Sequence, residues 1–238
     1  MNTVLMTHFL AERSMTGANI ANELGLLAIG AGIGVILNLY IPGKVHLIRT
    51  SQRRIESHMK EILRKMAGQL TTGKGGDAGL ADGEPPLSSL LKELDAELKQ
   101  GEKSAYEDME NKLLTETRYY LRYMNMRRTQ AFVLGRIEGE LKHLGELPSQ
   151  AQPIAELIER ISGGFHEYNN AVGLLEALDA VKEAMREQPL PELREEFENR
   201  AVLFQILLEL EQFLEIKKEF VEELSAEEIG KFWRETTC

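Results

Sequence analysis

The sequence predicts an all-α protein: one transmembrane helix followed by a cytoplasmic antiparallel helix bundle of four to five helices. Three observations lead there. Residues Leu24–Ile41, LGLLAIGAGIGVILNLYI, hold no charged side chain. At about 1.5 Å per residue they reach roughly 27 Å, close to the ~30 Å of a hydrocarbon core. Beyond them, apolar residues recur at three-and-four spacing, and no run alternates with period two for long enough to suggest a sheet. The stretch from Leu87 to Cys238 is also long enough to bury a core as one domain.

Residues 1–23 read as the remnant of a preceding membrane segment. The apolar piece Val4–Leu10 is too short to span and carries His8. A basic n-region and a small-residue cleavage pattern, the marks of a secretory signal, are both missing there. A polar turn around Ser14 to Asn22 is expected to join this piece to the membrane helix, residues 24–42. In that helix Gly30 and Gly34, with Gly32 between, form a GxxxG pattern. Such spacing favours close packing against other transmembrane helices or copies of the same chain. Tyr40 and Pro42 stand at its inner boundary, where a ring tolerates headgroups and a proline marks a bend or restart.

Residues 43–67 read as a basic juxtamembrane helix. Lys44, Arg49, Arg53, Arg54, Lys60, Arg64 and Lys65 face only Glu56 and Glu61 there, whereas the first twenty-three residues hold Arg13 against Glu12 and Glu23. The positive-inside rule therefore puts the C-terminal side in the cytoplasm of a cell-membrane protein. Anionic membrane lipids are the nearer partner for this cluster; the net charge of −10 argues against nucleic acid. Residues 68–86 hold glycines at 68, 73, 75, 76, 79 and 83 and end in two prolines, which predicts a flexible linker unable to hold a helix. Residues 87–238 carry nineteen Lys and Arg against thirty-one Asp and Glu, a balance of −12. An acidic cytoplasmic domain that folds by itself, standing off anionic lipid, is expected.

Its stripes are helical. Tyr106, Met109, Leu113, Thr117, Tyr120, Met124, Ala131, Leu134 and Leu141 suggest one helix of more than thirty residues. Ile154, Ile158, Ile161, Phe165, Tyr168, Val172 and Leu175 repeat the pattern, with a kink or break expected at Gly163 and Gly164. Leu203, Ile206, Leu210, Phe213, Phe220 and Leu224 repeat it again, and Lys217 is the one break; Phe204 is assigned to the same apolar side. The segment Leu87–Leu98 supplies a further helix face, so a bundle is the economical packing. Prolines 189 and 191 are expected to stop one helix and start the next, with Glu192, Glu195 and Glu196 in the first turns and Arg194–Glu198 and Glu196–Arg200 paired at i,i+4.

Patterns that could carry chemistry are weak. Gly68–Lys74 has the spacing of a phosphate-binding loop, but Gly75 stands where a magnesium-binding hydroxyl belongs and no strand precedes it. Glu140 and His143 form one ExxH pair, and a bridged di-metal centre needs a second, which the other histidines do not provide. No catalytic residue, metal ligand or cofactor is therefore expected, and the chain does not read as an enzyme. Cys238 is the sole cysteine, so no internal disulfide can form. The best candidate ligand site is Tyr119, Tyr123, Arg127 and Arg128, where rings and fixed cations adjoin and a carboxylate would fit.

Three segments, in this order, carry a resemblance: GAGIGVILNLYIP from Gly30 to Pro42, YYLRYMNMRRTQAFVL from Tyr119 to Leu134, and PLPELREEFENRAVLFQILLELEQFLEIKKEF from Pro189 to Phe220. Together they resemble the bacterial aromatic acid exporter family with its dedicated C-terminal domain, related to fusaric acid resistance proteins. The likeness runs from about Val4 to Phe220. Within it Pro189, Pro191, Arg194, Glu195, Glu196, Phe197, Glu198, Asn199 and Arg200 form a motif of unknown role. The resemblance implies a multi-span membrane domain followed by a cytoplasmic helical domain, and the export of aromatic carboxylic acids, which become candidate partners. Here only the last span and a remnant of the one before it are present, and one helix cannot enclose a substrate path. Either Met1 is an internal start in a longer gene or the chain is a truncated or divergent member. The expected function is that of a membrane-anchored, C-terminal part of such an exporter, accessory to efflux through assembly or regulation. The alternative is a membrane-tethered helical interaction module with no transport role.

Overall fold

The structure, a computed structural model, describes residues 17–40, 45–72, 85–111, 116–145 and 147–233. Every regular element among them is a helix: α1 Gly17–Tyr40, α2 Val45–Thr72, α3 Leu87–Asn111, α4 Glu116–Leu141, α5 Ala151–Gly163, α6 Val172–Arg186, α7 Arg194–Glu222 and α8 Ala226–Phe232. The all-α expectation holds. The chain divides into two compact units, Met1–Gly43 and Lys44–Cys238.

In the first unit α1 already begins at Gly17, so residues from Gly17 to Asn22 are helical rather than the polar turn expected there. The Val4–Leu10 piece lies outside the described residues. Leu24, Leu26, Leu27, Ile29, Ile33 and Val35 are all exposed. No atom comes within 4 Å of where a Cβ would stand on Gly30, Gly32 or Gly34. The glycine face is therefore open within the helix. Among the described residues no helix is long and apolar enough to cross a membrane.

The second unit begins at Lys44, not at Leu87. Helix α2 is therefore a core helix of the bundle and not a separate juxtamembrane element. The reason lies in its amphipathic pattern: Ile48, Ile55, Met59, Ile62, Leu63, Met66 and Leu70 recur at helical spacing and are fully buried, while Arg53, Arg54 and Arg64 point out. That stripe packs on α3, α5 and α4. Nor does Gly68 end the helix. It runs on to Thr72, with the Thr71 and Thr72 hydroxyls donating to the carbonyls of Ala67 (3.0 Å) and Gly68 (2.9 Å). The rest of the expected linker, residues 73–84, lies outside the described residues, as does Lys74 of the phosphate-loop pattern.

Six helices, α3 to α8, stand among the described residues from 87 on, more than the four to five expected there, and α2 makes a seventh in the unit. Cross-contacts set their directions. Arg49 Nε donates to Tyr120 Oη (2.9 Å) and Arg127 Nη2 to Glu56 Oε1 (2.9 Å), so α2 and α4 run parallel. Helix α3 returns between them, with Glu97 beside His58 (3.3 Å) and Glu102 on Arg128 (2.6 Å). Helix α7 descends against α4, from Asn199 at Gly145 to Phe213 at Gln130.

The single long helix expected from Tyr106 to Leu141 is two: α3 ends at Asn111, α4 starts at Glu116, and Tyr106 is exposed. The break expected at Gly163 and Gly164 is present. Asn169 fastens the connection that follows, its Nδ2 donating to the Gly164 carbonyl (2.7 Å) and its Oδ1 accepting from the Ala171 N–H (2.6 Å). A Cβ on Gly164 would meet Asn169 Nδ2 at 3.0 Å, which is why that position suits glycine. Prolines 189 and 191 stand between α6 and α7 as expected, and Glu195 and Glu196 fill the first turn of α7. Phe213 is buried but Phe204 only partly.

Candidate functional site

Helix α4 brings Tyr119, Tyr120, Tyr123, Met124 and Arg127 to one inward face, since steps of one, three and four residues keep to one side of a helix. Three of the four residues of the expected ligand site therefore do meet. Arg128 does not join them: it points to α3, where Nη1 reaches Glu102 Oε2 at 2.6 Å.

Arg127 is 1% exposed, and each of its three nitrogens donates to a partner inside the chain. Nε donates to Tyr123 Oη (2.8 Å), Nη1 to Gln130 Oε1 (2.8 Å) and Nη2 to Glu56 Oε1 (2.9 Å). Tyr123 donates its own hydroxyl proton to the same Glu56 oxygen, and Gln130 Nε2 passes the chain on to the Phe213 carbonyl (2.8 Å). The guanidinium also lies over the rings of Phe165 (4.1 Å) and Tyr123 (4.9 Å). The carboxylate that this arginine was expected to hold is thus supplied by α2.

Lys217 of α7 is the second buried cation. Its Nζ donates to the Glu167 carbonyl (2.6 Å) and sits 5.2 Å from the Phe220 ring, 5.6 Å from Trp233 and 5.8 Å from Tyr123. Burial, and then the positive charge of Arg127, push its pKa down to about 7 against the pull of Glu56 and Glu167. Tyr119 donates to Glu167 Oε1 (2.5 Å) and stacks flat on Phe232 at 4.1 Å. Burial raises the pKa values of Tyr119 and Tyr123 well above the usual phenol range, so both stay protonated donors. A small cleft opens beside this network, about 250 Å³ with its solvent-filled mouth included, lined by Arg127, Lys217, His166, Asn169, Phe213 and Leu174 among others.

Chemically this is a closed network: an arginine with an internal carboxylate and a lysine held by rings and a carbonyl. It fixes α2, α4, α7 and the α5–α6 connection together. Among the described residues no three or more His, Cys, Asp or Glu side chains are grouped to hold a metal ion. Sequence reasoning missed Glu56 and Glu167 and treated Lys217 as a break. Glu56 was detectable, since it lies beside Ile55 and one turn before Met59 and Lys60 on a helix whose stripe was not read.

The motif from Pro189 to Arg200 has one structural half and one exposed half. Asn199 is buried and accepts from the Gly145 N–H (3.0 Å), tying α7 to the α4–α5 turn. Arg200 donates to the Pro189 carbonyl (2.6 Å) and pairs with Glu196; Arg194 pairs with Glu198 at 2.8 Å, as expected. Leu190, Leu193 and Phe197, by contrast, are 88%, 70% and 62% exposed.

Comparison with known proteins bears directly on this bundle. A family model described as "Putative aromatic acid exporter C-terminal domain" matches residues 46–218. The chain belongs to the aromatic acid exporter family. A second model, "Aromatic acid exporter family member 1", matches residues 1–41. The Bacillus subtilis (strain 168) protein named "Uncharacterized protein YqjA" is 29% identical over 219 residues, which is 92% of this chain. The match takes in 65% of that relative, so the chain spans about two thirds of its length. A solved structure described as a "putative membrane protein from Clostridium difficile 630" superposes with a TM-score of 0.64 at 28% identity, over 75% of this chain and 99% of that one. The family match starts one residue into α2, in keeping with α2 as part of the C-terminal domain.

Proposed function

We propose that this chain is the last membrane span and the cytoplasmic C-terminal domain of an exporter of aromatic carboxylic acids, and that the domain assembles or regulates the transporter rather than performing chemistry. The observation that carries the reading is the order of the two family matches, 1–41 and then 46–218, laid over a helix uncharged from Leu24 onward and then a bundle. Its support for a membrane location is α1, whose exposed leucines and isoleucines and open glycine face suit lipid and neighbouring helices. The basic residues that follow, Lys44 to Lys65, support a cytoplasmic bundle in the cell membrane protein. Membrane fractionation tests this: the chain stays with membranes after carbonate extraction, and arginines at Gly34 and Val35 release it, each costing roughly 2.5–3.5 kcal/mol near a span centre. Recovery of the unaltered chain in the soluble fraction would overturn the reading.

Between the two accessory roles, assembly is favoured over sensing of an aromatic acid at Tyr119, Tyr123, Arg127 and Arg128. Arg127 already holds the carboxylate of Glu56, with which a ligand carboxylate would compete, and Arg128 lies elsewhere. Calorimetry with a hydroxybenzoate at millimolar concentration is expected to give no heat. Heat that disappears in Arg127→Met would establish sensing instead. A second reading, a membrane-tethered interaction module with no transport role, is favoured by the exposed Leu190, Leu193 and Phe197. Deleting the bundle from the complete exporter gene separates the two: loss of efflux supports the transport role, and unchanged efflux supports the module.

A further inference from the structure

The cations of this protein fall into two groups. In the acidic part of the bundle most are paired, as Lys99 with Asp95, Arg122 with Glu228, Arg136 with Glu209, Lys142 with Glu138, Lys182 with Glu211 and Arg186 with Glu183, and the exposed Lys92, Arg118 and Arg160, which make no ion pair among the described residues, lie singly on three different helices. On α2 the pattern reverses. Arg53, Arg54 and Arg64 are exposed and make no ion pair among the described residues, while Glu56, the nearest carboxylate, is turned inward to Arg127. Spacing puts these arginines on one side. His46, Arg53 and Lys60 follow each other at seven residues, Leu47 and Arg54 do the same beside them, and Arg64 is four beyond Lys60. The side is about 26 Å long from Leu47 to Arg64 at ~1.5 Å per residue. Leu47 is itself 56% exposed, and Glu61 is the one exposed carboxylate along it.

We infer that this outer side of α2, with Leu47, Arg53, Arg54 and Arg64, is a docking surface on which the bundle rests against anionic lipid headgroups. Charge complementarity argues for lipid: a cytoplasmic leaflet rich in anionic headgroups attracts unpaired arginines, and a short apolar side chain among them can enter the interface. Reach argues for it too. Val45 follows Tyr40 by only five residues, so little chain separates α2 from the proposed span. The rest of the bundle, acidic as a whole, is repelled by the same surface, and this orients α2 towards lipid and the paired faces away. The inference rests on the proposal that α1 spans the membrane.

The test uses the full chain with Cys238→Ser, which removes the sole cysteine. A nitroxide is placed by Ser57→Cys, an exposed position among the arginines, or by Ala201→Cys, an exposed position on α7, a helix not packed on α2. Each protein is reconstituted into nanodiscs of neutral lipid or of neutral lipid with one third phosphatidylglycerol, and accessibility to an uncharged nickel chelate is read. In anionic discs the label at 57 loses accessibility and the label at 201 does not; 1 M salt, which shrinks the screening length to about 3 Å, restores it. Each arginine replaced by glutamine lowers the ratio of docked to undocked protein about five-fold. Equal accessibility of position 57 in the two kinds of disc overturns the inference while leaving the span intact. Protection that follows the number of copies per disc, whatever the lipid, overturns it in favour of a second copy. A chain that never enters the discs overturns the membrane reading and this inference together.

Discussion

Cutting the chain at its glycine-rich stretch removes α2 from the bundle, and residues 87–238 alone should fail to fold cooperatively. The magnitude follows from what α2 buries. Ile48, Ile55, Met59, Ile62, Leu63, Met66 and Leu70 are all at 0% or 1% exposure. At about 1.5–3 kcal/mol for each fully buried side chain, the seven contribute about 10–20 kcal/mol. A whole domain has a net stability of roughly 5–15 kcal/mol, so the deletion removes most or all of it even if compact denatured states reduce the figure by a third. Arg127 also loses Glu56 and is left buried with an unpaired charge. Residues 44–238 and 87–238 are to be compared by far- and near-ultraviolet circular dichroism and by urea titration. The longer fragment should show one steep transition. The shorter should show a broad, weak one and little near-ultraviolet signal, and a synthetic peptide of residues 45–72 should restore the transition in a concentration-dependent way. A cooperative transition for 87–238 within a few degrees of the longer fragment would refute the argument that α2 belongs to the core.

Other outcomes follow from the same interior and are to be measured on residues 44–238. Glu56→Ala should cost about 3–5 kcal/mol by stranding Arg127, and adding Arg127→Met should recover most of it; failure of the double variant to recover would show that packing, not the charge, was lost. Lys217 titrates at about 7 in the fold and near 10.5 when exposed, so between those values the unfolded chain holds the extra proton and stability rises with pH. Urea midpoints from pH 7 to 9 should therefore climb, by up to ~1.4 kcal/mol per pH unit, and Lys217→Met should flatten the climb. Phe213→Ala should destabilise by about 3–5 kcal/mol, whereas Leu190→Ser and Phe197→Ser should stay within ~0.5 kcal/mol, which melting curves will separate.

Much of the fold is local and could be read from residues close together. The spacing of Leu203, Ile206, Leu210 and Phe213 predicts α7, the Gly163–Gly164 pair marks the break between α5 and α6, and the i,i+4 pairs of Arg194 and Arg200 are where their spacing puts them. The stripe of α2 is equally legible in Ile55, Met59 and Ile62, but its six cations read as a lipid-facing element. Basicity and burial are not alternatives on a helix, since they occupy opposite faces. The candidate site shows the other limit. Tyr119, Tyr123 and Arg127 announce themselves by spacing, but Arg127 meets Glu56 across 71 residues of chain, and no local pattern reports such a pairing. Glu167 and Lys217, 50 residues apart, were hidden for the same reason.

The place of α2 in the bundle also changes what the stretch after it controls. Residues 73–84 join α2 to α3 inside one unit, so they act as a loop and not as a leash. Doubling that loop should cost only ~0.6 kcal/mol of closure entropy and leave the packing of α2 in the core unchanged, so the length of the glycine-rich stretch is nearly free to vary while the helices at its two ends are not.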